Sequence, residues 1–316
     1  MKSTNYLLIK LAFRTPVHFG KGRLATSEMT IGADRLFSSL YQQALKTPEG
    51  ERLAEQLVAS VKNGTLRLSD TFPYMENKWY LPKPVMRLTL KKEGNAIQKK
   101  SLKKLSFIPS ALFPAFLHGE MEPEKELTHF ERIGEYLTRH AVSLRNDSQP
   151  FRIGLFQFSE GSGLYFILYC SDDEVRSEIL ALVDDLSFEG IGGKRTIGLG
   201  RFDYEVIDAS PSEWKILEPQ MKCVERDRLF MMLSAGFPRK EECASIQGRK
   251  ETIVGKRSGF IQSPDYAKEN VRKKDFFLYL SGSCFERPFS GDIFDVGGNG
   301  THPVFRYASP LWMELM

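Results

Sequence analysis

GIGGKRTIGLGRF, from Gly190 to Phe202, separates a helical pattern from a strand pattern and constrains the fold more than any other segment. We call residues 190–202 the glycine loop: five of its first eleven residues are glycine, with Lys194 and Arg195 at the centre. Glycine adopts positive φ at little cost and leaves its N–H groups uncovered, so the loop can approach a phosphate backbone. Its position before a strand excludes a nucleoside-triphosphate loop and a dinucleotide-binding turn, which both precede a helix. A solvent-exposed turn without a ligand is the alternative.

The segments on both sides of the glycine loop are periodic. Before it, Ser171 followed by Glu174 predicts a capping box that opens a helix. The helix presents one apolar stripe, which consists of Val175, Ile179, Leu182, Val183 and Leu186. After the loop, Phe202–Ile207 has the alternation of a strand.

Two apolar runs of strand length precede that helix. Arg152–Phe158 and Leu164–Cys170 flank Ser159–Gly163, which is rich in glycine and serine. This pattern predicts a β-hairpin with a glycine-rich turn.

The beginning of the chain adds a strand and two helices. Tyr6–Arg14 alternates and predicts a half-buried strand, whereas Asp34–Leu45 and Glu49–Val61 have apolar residues at helical spacing. With an insertion set aside, the element order is βαββαβ. We therefore predict an α+β fold built on a ferredoxin-like domain, the architecture that RNA-recognition modules share.

The insertion extends from about residue 66 to residue 150, where prolines interrupt the periodicity. Within it we expect a strand pair or flexible arm at Val85–Leu90 and Leu102–Phe107, and a short helix near Pro123–Thr138. Lys83–Lys104 holds eight basic residues and one acidic residue, although the whole chain has a net charge of only +4. Such concentrated charge favours contact with a polyanion, and a solvated basic loop is the alternative.

The length of 316 residues suits two domains. We assign residues 1–208 to the first domain, with its insertion, and residues 209–316 to a second, modified ferredoxin-like domain. Strands are predicted there at Arg228–Leu233 and Phe276–Leu280.

The cysteines and the N-terminal sequence pattern indicate the cellular compartment. The four cysteines show no C-x-x-C and no short pairing with histidine, so we expect no metal, no cofactor and a reducing cytoplasm. The first residues alternate and contain Lys10, which predicts a strand and not a signal peptide or membrane span.

Several short stretches, together with the βαββαβ order, resemble the RAMP superfamily of CRISPR-associated RNA-binding proteins. They are Pro16-Val17-His18-Phe19-Gly20, Asp34-Arg35-Leu36-Phe37-Ser38, Phe72-Pro73, Leu81-Pro82-Lys83-Pro84, Lys256-Arg257-Ser258-Gly259-Phe260 and Ser281-Gly282-Ser283-Cys284-Phe285. This combination resembles the family of fourth Csm subunits of type III-A CRISPR interference complexes. Lys256–Phe260 departs from the Lys-Gly-Gly-aromatic pattern that is usual in the family.

The resemblance implies a non-catalytic RNA-binding subunit. Such a subunit anchors the 5′ repeat-derived tag of CRISPR RNA and docks two proteins, a large polymerase-like subunit and a backbone RAMP subunit. An arm of its insertion would enter the guide–target duplex and so contact target RNA indirectly.

The candidate RNA-binding residues come from the motifs and from the resemblance. Strands one and three of a βαββαβ sheet are central, so the end of strand one and the glycine loop are expected to lie close together. Amides and cations would then hold phosphates while other side chains contact bases. The set is His18, Phe19, Lys21, Arg23, Arg145, Gly192, Gly193, Lys194, Arg195, Lys256 and Arg257. The arm would present Lys83, Arg87, Lys91, Lys92, Lys99 and Lys100 to the duplex.

Two other functions stay open at this point. His18 could be the general acid or base of a metal-independent endoribonuclease that processes precursor CRISPR RNA, as a histidine is in related RAMP ribonucleases. The chain could also be a ferredoxin-like protein that binds no nucleic acid. A nuclease would cut RNA without metal, a scaffold would bind it intact, and the third protein would show no salt-dependent RNA affinity.

Overall fold

A computed structural model of the chain describes residues 5–87, 96–142, 149–208, 228–244, 246, 250–263, 265–267, 269 and 271–315. Up to residue 208 its elements are β1 (Tyr6–Phe13), β2 (Phe19–Lys21), β3 (Arg23–Glu28), α1 (Ala33–Ala44), α2 (Gly50–Asn63), β4 (Leu66–Leu68), β5 (Phe72–Met75), β6 (Lys78–Pro82), α3 (Ala96–Lys104), β7 (Phe107–Pro109), α4 (Phe113–Leu117), α5 (Pro123–Phe130), β8 (Gly134–Val142), β9 (Pro150–Phe158), β10 (Ser162–Cys170), α6 (Asp173–Glu189) and β11 (Phe202–Asp208). From residue 228 they are β12 (Phe230–Met232), β13 (Lys250–Glu251), β14 (Val254–Arg257), β15 (Phe276–Tyr279), β16 (Cys284–Phe285), β17 (Asp292–Asp295), β18 (Phe305–Ala308) and β19 (Trp312–Glu314).

Strand β1 lies inside the main antiparallel sheet, whose order is β11–β1–β10–β5–β6–β7, with β4 also paired to β10. Its register with β10 runs from Tyr6 opposite Tyr169 to Leu11 opposite Leu164. A shift of one residue would exchange the two faces of β1, so the packing on both sides fixes this register.

Both faces of β1 are buried. Leu7, Ile9 and Leu11 belong to a core that includes residues of α1, α2 and α6. Tyr6 and Leu8 belong to a second core, which includes residues of β12 and β19. The expectation of a half-buried strand is therefore wrong, because the strands that follow residue 228 cover the second face.

The two strands on either side of Ser159–Gly163 are present but do not pair with each other. β9 pairs with β8, whereas β10 pairs with β1, β4 and β5. The predicted hairpin is therefore wrong. All nine residues of β10 are buried, and such a strand needs a neighbour on each side. An apolar run indicates a central strand without identifying its partners.

Strands β4, β5 and β6 extend the main sheet through residues that the sequence assigns to the insertion. Leu68 lies opposite Leu168, and Phe72 lies opposite Tyr165. The Tyr165 hydroxyl donates a hydrogen bond to the Tyr80 carbonyl at 2.8 Å, which joins β10 to β6. The chain thus leaves the main sheet only beyond Pro82.

Two further element predictions in this region are wrong. Residues 85–87 contain no strand, residues 88–90 lie outside the described residues, and α3 occupies Ala96–Lys104, so the strand-pair form of the first prediction fails at Leu102–Phe107. The helix predicted for Pro123–Thr138 ends at Phe130, and β8 begins at Gly134. Lysine, glutamine and leucine, which fill α3, are strong helix formers, and this local preference outweighs the interruptions by proline nearby.

The helix before the glycine loop has a different cap from the predicted one. The carboxylate of Asp172 accepts hydrogen bonds from the backbone N–H groups of Glu174 and Val175, so Asp172 and not Ser171 is the N-cap of α6. Aspartate and serine serve equally well at this position, and the sequence offered both in succession.

The region after residue 228 consists mainly of strands. β13, β16, β12 and β19 form one sheet in that order, β14 pairs with β15, and β17 pairs with β18. Within the described part of this region the helical content is one 3-10 turn, Lys240–Glu242. The two helices of a second βαββαβ unit are not among these described residues.

A buried carboxylate joins the two regions. Asp34, in the first turn of α1, accepts a hydrogen bond from Arg306 of β18 at 2.6 Å, and Arg257 of β14 lies 3.4 Å from the same oxygen. The Asp34 side chain is fully buried. Burial alone would raise the pKa of Asp34, but the positive charges of Arg257 and Arg306 hold it below its ordinary value.

A second carboxylate reinforces this junction. Asp70, in the turn between β4 and β5, accepts hydrogen bonds from the N–H of Ala33 at 2.8 Å and of Ala235 at 3.2 Å. It therefore caps α1, whose own N-cap residue Gly32 has no side chain for this purpose. Tyr307 of β18 also stacks on Phe37 of α1, with ring centroids 5.4 Å apart.

We predict that Asp34→Asn lowers the free energy of unfolding by about 3–5 kcal/mol, because it leaves buried arginine charge without a counter-ion. Denaturant unfolding of both proteins measures this loss. Since the folded-state pKa of Asp34 is depressed, its stabilisation is complete above the ordinary value of 3.8 and disappears as the pH falls through the folded-state pKa.

Asp203→Asn is the matched control, because Asp203 forms an exposed ion pair with Arg14. Exposed pairs are screened by solvent and contribute little, so this variant is expected to unfold like the wild type. Equal losses in the two variants would contradict the structural role of Asp34.

Candidate nucleic-acid interface

The glycine loop folds back on itself and onto the segment that follows β1. The Ile191 N–H donates to the Gly200 carbonyl at 2.9 Å, and the Gly200 N–H donates to the Pro16 carbonyl at 3.0 Å. Gly192 and Gly200 have φ angles of +97° and +77°, and Lys194 adopts +61° although it is not glycine. A left-handed backbone at a lysine costs free energy, which the surrounding hydrogen bonds must offset.

The loop contacts His18 directly, as predicted. The Gly193 N–H donates to the His18 carbonyl at 2.9 Å. A Cβ atom at Gly193 would lie 2.8 Å from the His18 ring, and one at Gly192 would lie 2.9 Å from the His18 carbonyl oxygen. Glycine is therefore required for this approach. The Gly193 amide, however, is used inside the protein and does not point at a ligand.

The imidazole of His18 is held in place by β9. Its Nδ1 lies 2.6 Å from the Gly154 carbonyl oxygen, which can only accept, so Nδ1 carries a proton and donates this hydrogen bond. Val17, the preceding residue, exchanges two backbone hydrogen bonds with Phe156. The His18 residue is only 7% exposed.

Phe19 does not have the position expected for base stacking. It is 1% exposed and belongs to the main core, with its ring 6.2 Å from Phe13 in an edge-on arrangement. The phenylalanine next to the motif histidine therefore anchors β2 to the core and presents no ring face to solvent.

The two charged residues at the centre of the glycine loop, Lys194 and Arg195, differ in whether an acidic side chain pairs with them. Lys194 is exposed and its ammonium lies 5.6 Å from the ring centroid of Phe151 in β9. Arg195 lies 3.5 Å from Glu189, the last residue of α6, which also pairs with Lys46. The hydrogen bond from Lys46, together with the charge of Arg195, lowers the pKa of Glu189. Among the described residues Lys194 has no acidic partner, whereas Arg195 is partly neutralised.

The β2–β3 hairpin places two more of the predicted cations beside the loop. Residues 20–26 are exposed, and they include Lys21 and Arg23. Lys21 lies 3.8 Å from Glu28, and Arg35 of α1 binds the same carboxylate at 2.8 Å. Arg35 also donates to the Gly20 carbonyl at 3.2 Å. Arg35 therefore fixes the hairpin to the first helix.

The β8–β9 ribbon supplies residues that the sequence did not suggest. Its Gly154 lies against β3, where a Cβ atom would overlap the Ala25 carbonyl. Arg139 and Arg152 are exposed on this ribbon, and Arg152 follows the phenylalanine under Lys194. Isolated arginines in a segment without a motif give no sequence signal. These arginines can be recognised as candidate site residues only from the folded structure, in which the ribbon lies beside the glycine loop.

The predicted arm residues have different surroundings. Lys83 donates from its ammonium to the Leu102 carbonyl at 2.7 Å, and burial lowers its pKa, so it holds the end of α3 and is not free. Arg87, Lys99 and Lys100 are exposed, the last two on α3. Lys91, Lys92 and Arg145 lie outside the described residues.

The two predicted cations of β14 are already paired within the protein. Lys256 binds Asp275 at 2.7 Å, and Arg257 lies beside Asp34 at the start of α1. Arg257 is thus placed at the junction of the two regions, whereas Lys256 is paired within the second region.

Across the described ranges, no group of three or more histidine, cysteine, aspartate or glutamate side chains is arranged to hold a metal ion. In the same ranges, no helix has both the length and the apolar character needed to cross a bilayer.

Comparison with known proteins identifies the family. Residues 225–315 match the family model described as the CRISPR Csm4 C-terminal domain. The CRISPR system Cms protein Csm4 of Mycobacterium tuberculosis is 33% identical over 302 residues, with 94% of each chain covered. The chain belongs to the Csm4 family. The Csm4 protein of Streptococcus thermophilus is 28% identical over 318 residues, with 98% of this chain and 99% of the relative covered. The resemblance seen in the sequence is confirmed.

Solved structures of Csm4 assemblies have the same fold. A chain of the Csm3-Csm4 subcomplex in the type III-A CRISPR-Cas interference complex superposes with a TM-score of 0.63 at 20% identity, covering 97% of this chain and 98% of that one. A chain of the Csm1-Csm4 cassette in complex with AMPPNP gives a TM-score of 0.58 at 18% identity, covering 97% and 96%. The mixed α+β architecture with antiparallel sheets is therefore shared with these Csm4 structures.

We predict that Gly200→Ala destabilises the protein by about 3 kcal/mol, whereas Gly198→Ala costs about 1 kcal/mol. Both residues have positive φ, +77° and +85°, so both variants incur the left-handed backbone cost. Only at Gly200 would the new Cβ overlap the Ile191 carbonyl, whereas at Gly198 nothing lies within 4 Å. Thermal and denaturant unfolding compare the two. Equal destabilisation would show that the loop relaxes around the added methyl group.

Proposed function

We propose that this Csm4-family protein is a non-catalytic RNA-binding subunit of a type III-A CRISPR effector complex, and that it anchors the 5′ repeat-derived tag of CRISPR RNA. The observation that carries the proposal is the meeting of the glycine loop, the His18 segment, the β2–β3 hairpin and the β8–β9 ribbon at one surface. Lys194, Lys21 and Arg23 are exposed there. A single strand passing over this surface would have its phosphates neutralised at several successive points.

Single-stranded RNA suits this surface better than a duplex. The cations come from three separate loops and ribbons, each of which follows a different direction, so they can track an irregular backbone. The described segments of this surface are loops and strands, and the deep, narrow major groove of A-form RNA does not admit side chains.

The partner subunits of this protein are inferred from solved structures that contain Csm4. Csm4 chains occur with Csm3 in one solved subcomplex and with Csm1 in another. We propose that this chain likewise docks the backbone subunit and the large polymerase-like subunit in antiviral defence. Lys99 and Lys100 of α3, together with Arg87, would lie near the guide–target duplex and contact target RNA indirectly.

The sheet order supports a ferredoxin-like interpretation of the first region. When the elements between β5 and β10 are left out, the strands of this sheet lie in the order β11–β1–β10–β5. We propose that β4 and β5 together are the second strand of the βαββαβ unit, so the unit has the strand order 4-1-3-2. The glycine loop then joins the second helix to the fourth strand, as in the predicted motif.

The surroundings of His18 favour binding over catalysis. A general acid or base must reach the 2′-OH of its substrate, and His18 is 7% exposed with Nδ1 bound to a carbonyl. Its backbone carbonyl and ring position Gly193, so its role is to shape the loop. The processing endoribonuclease is therefore the less favoured function.

We predict that Lys194→Ala combined with Arg195→Ala weakens RNA binding by about 1–3 kcal/mol and flattens its dependence on salt, because fewer counter-ions are released. Fluorescence anisotropy with single-stranded RNA carrying a 5′ repeat tag, at several salt concentrations, measures both effects. A tagless RNA tests specificity.

The matched control is Arg52→Ala combined with Lys62→Ala on α2, which removes the same charge elsewhere. Arg52 pairs with Glu178, two helical turns or more before the glycine loop along α6. This control is expected to bind like the wild type. If both double variants lose affinity equally, the effect is one of net charge and the glycine-loop assignment is wrong.

We predict that the wild-type protein leaves bound RNA intact in the absence of metal, and that His18→Ala does the same. End-labelled repeat RNA on a denaturing gel checks this directly. Cleavage at one position by the wild type, abolished in the His18 variant while binding persists, would establish the endoribonuclease instead.

A further inference from the structure

The ribbon formed by β14 and β15 presents an unusual outward face. Cross-strand neighbours share a face, so Val254 and Lys256 lie on the same side as their partners Tyr279 and Phe277. Val254 is 56% exposed and Phe277 is 55% exposed. The opposite face is the structural one, where Leu278 is fully buried.

A second exposed ring lies just beyond this ribbon. Phe260 is 57% exposed and forms an isolated bridge with Arg272, whose guanidinium lies 5.8 Å from the ring centroid. The strand direction continues here, since the Lys273 N–H donates to the Gly259 carbonyl at 2.9 Å. Phe277 and Phe260 are therefore two exposed rings on the same pair of antiparallel segments, each with a cation beside it.

The cations around these rings favour a nucleic acid as the occupant. Lys256 lies directly opposite Phe277, and Arg272 and Lys274 are exposed on the returning strand. Lys256 also binds Asp275, which leaves further donors of its ammonium for another acceptor. A protein-binding apolar face would be depleted of lysine, whereas alternating rings and cations are typical of surfaces that stack unpaired bases.

A cleft lies between the β2–β3 hairpin and the face of this ribbon that is opposite to Phe277. It has a volume of about 580 Å³, and its wall includes Ile253 and Arg257 on the β14 side, Lys103 of α3, and Arg35 and Glu28 on the hairpin side. Arg35 and Glu28 are the residues that hold the β2–β3 hairpin. The cleft thus joins the β2–β3 hairpin to the second region on the side of β14 that carries Arg257.

We propose that the outward face of β14–β15 is a second contact for single-stranded RNA, in which Phe277 and Phe260 stack on unpaired bases. This inference rests on the proposed RNA-binding function and extends it to the second region of the chain. The glycine loop neutralises phosphates, and the ribbon supplies the stacking that the buried Phe19 does not provide.

Four variants of the full-length protein separate stacking from other contacts. With an oligouridine of about 20 nucleotides, Phe277→Ala is expected to weaken binding about tenfold without changing the salt slope, because stacking releases no counter-ions. Phe277→Trp is expected to retain affinity, and Phe277→Leu to lose it. Val254→Ala, on the same face but without a ring, is the matched control and is expected to bind like the wild type.

A second measurement does not depend on substitutions. Photo-cross-linking with iodouridine-substituted RNA, followed by mass spectrometry, is expected to give adducts on the peptides that contain Phe277 or Phe260. This photo-cross-linking reaction requires the iodouracil to lie against an aromatic ring, which is the arrangement that stacking produces.

The outcomes distinguish the inference from the proposed function. If Phe277→Ala binds like the wild type and no adduct forms on the ribbon, while the Lys194 and Arg195 double variant loses affinity, the ribbon inference is overturned and the function stands. Retained binding by Phe277→Leu alongside loss by Phe277→Ala would indicate apolar contact and overturn stacking. If the wild type binds the tagged RNA but not the oligouridine, the ribbon inference is overturned and the function stands, whereas no binding of either RNA by the wild type would refute both.

Discussion

The carboxylate of Asp34 is the constraint on which the arrangement of this protein depends. An ionised group that is fully buried is tolerated only when its counter-ions are buried with it, and here they come from β18 and β14. The first helix and the second region are therefore held at one relative position. Because Arg35, the next residue, holds the β2–β3 hairpin, the same turn of helix connects the junction with the proposed RNA-binding surface.

In the glycine loop, the backbone stabilises the fold of the loop and the side chains supply its exposed charge. Its glycines allow close approach to the His18 carbonyl and to Pro16, so most of the loop serves its own folding. The exposed charge is carried mainly by Lys194, which is held in a left-handed conformation that few lysines adopt. A residue retained in such a conformation has a defined direction, which benefits recognition of a phosphate at a fixed place.

Outside the insertion, periodicity and motifs predicted most strands and helices, and they predicted that the glycine loop lies near His18, because these features depend on residues close in sequence or on the centre of a common fold. The sequence did not predict which strands pair with each other. β10 is apolar throughout, so nothing in its sequence distinguishes β9 from β4 and β5 as a neighbour. Likewise the burial of Phe19, the pairing of Lys83 with a carbonyl and the position of Arg152 depend on distant segments, which local patterns do not encode.

The central position of β1 also affects how the chain reaches its native state. The partners of β1 lie far along the sequence, as the Lys10–Glu205 pair across 195 positions illustrates. Because β1 precedes its partners in the chain, it must wait, with apolar residues on both faces, until β10 and β11 have been synthesised. Closing so long a loop has a large entropic cost and makes folding slow. Biosynthesis of this subunit thus passes through a stage that is vulnerable to aggregation, which chaperones or early assembly would shorten.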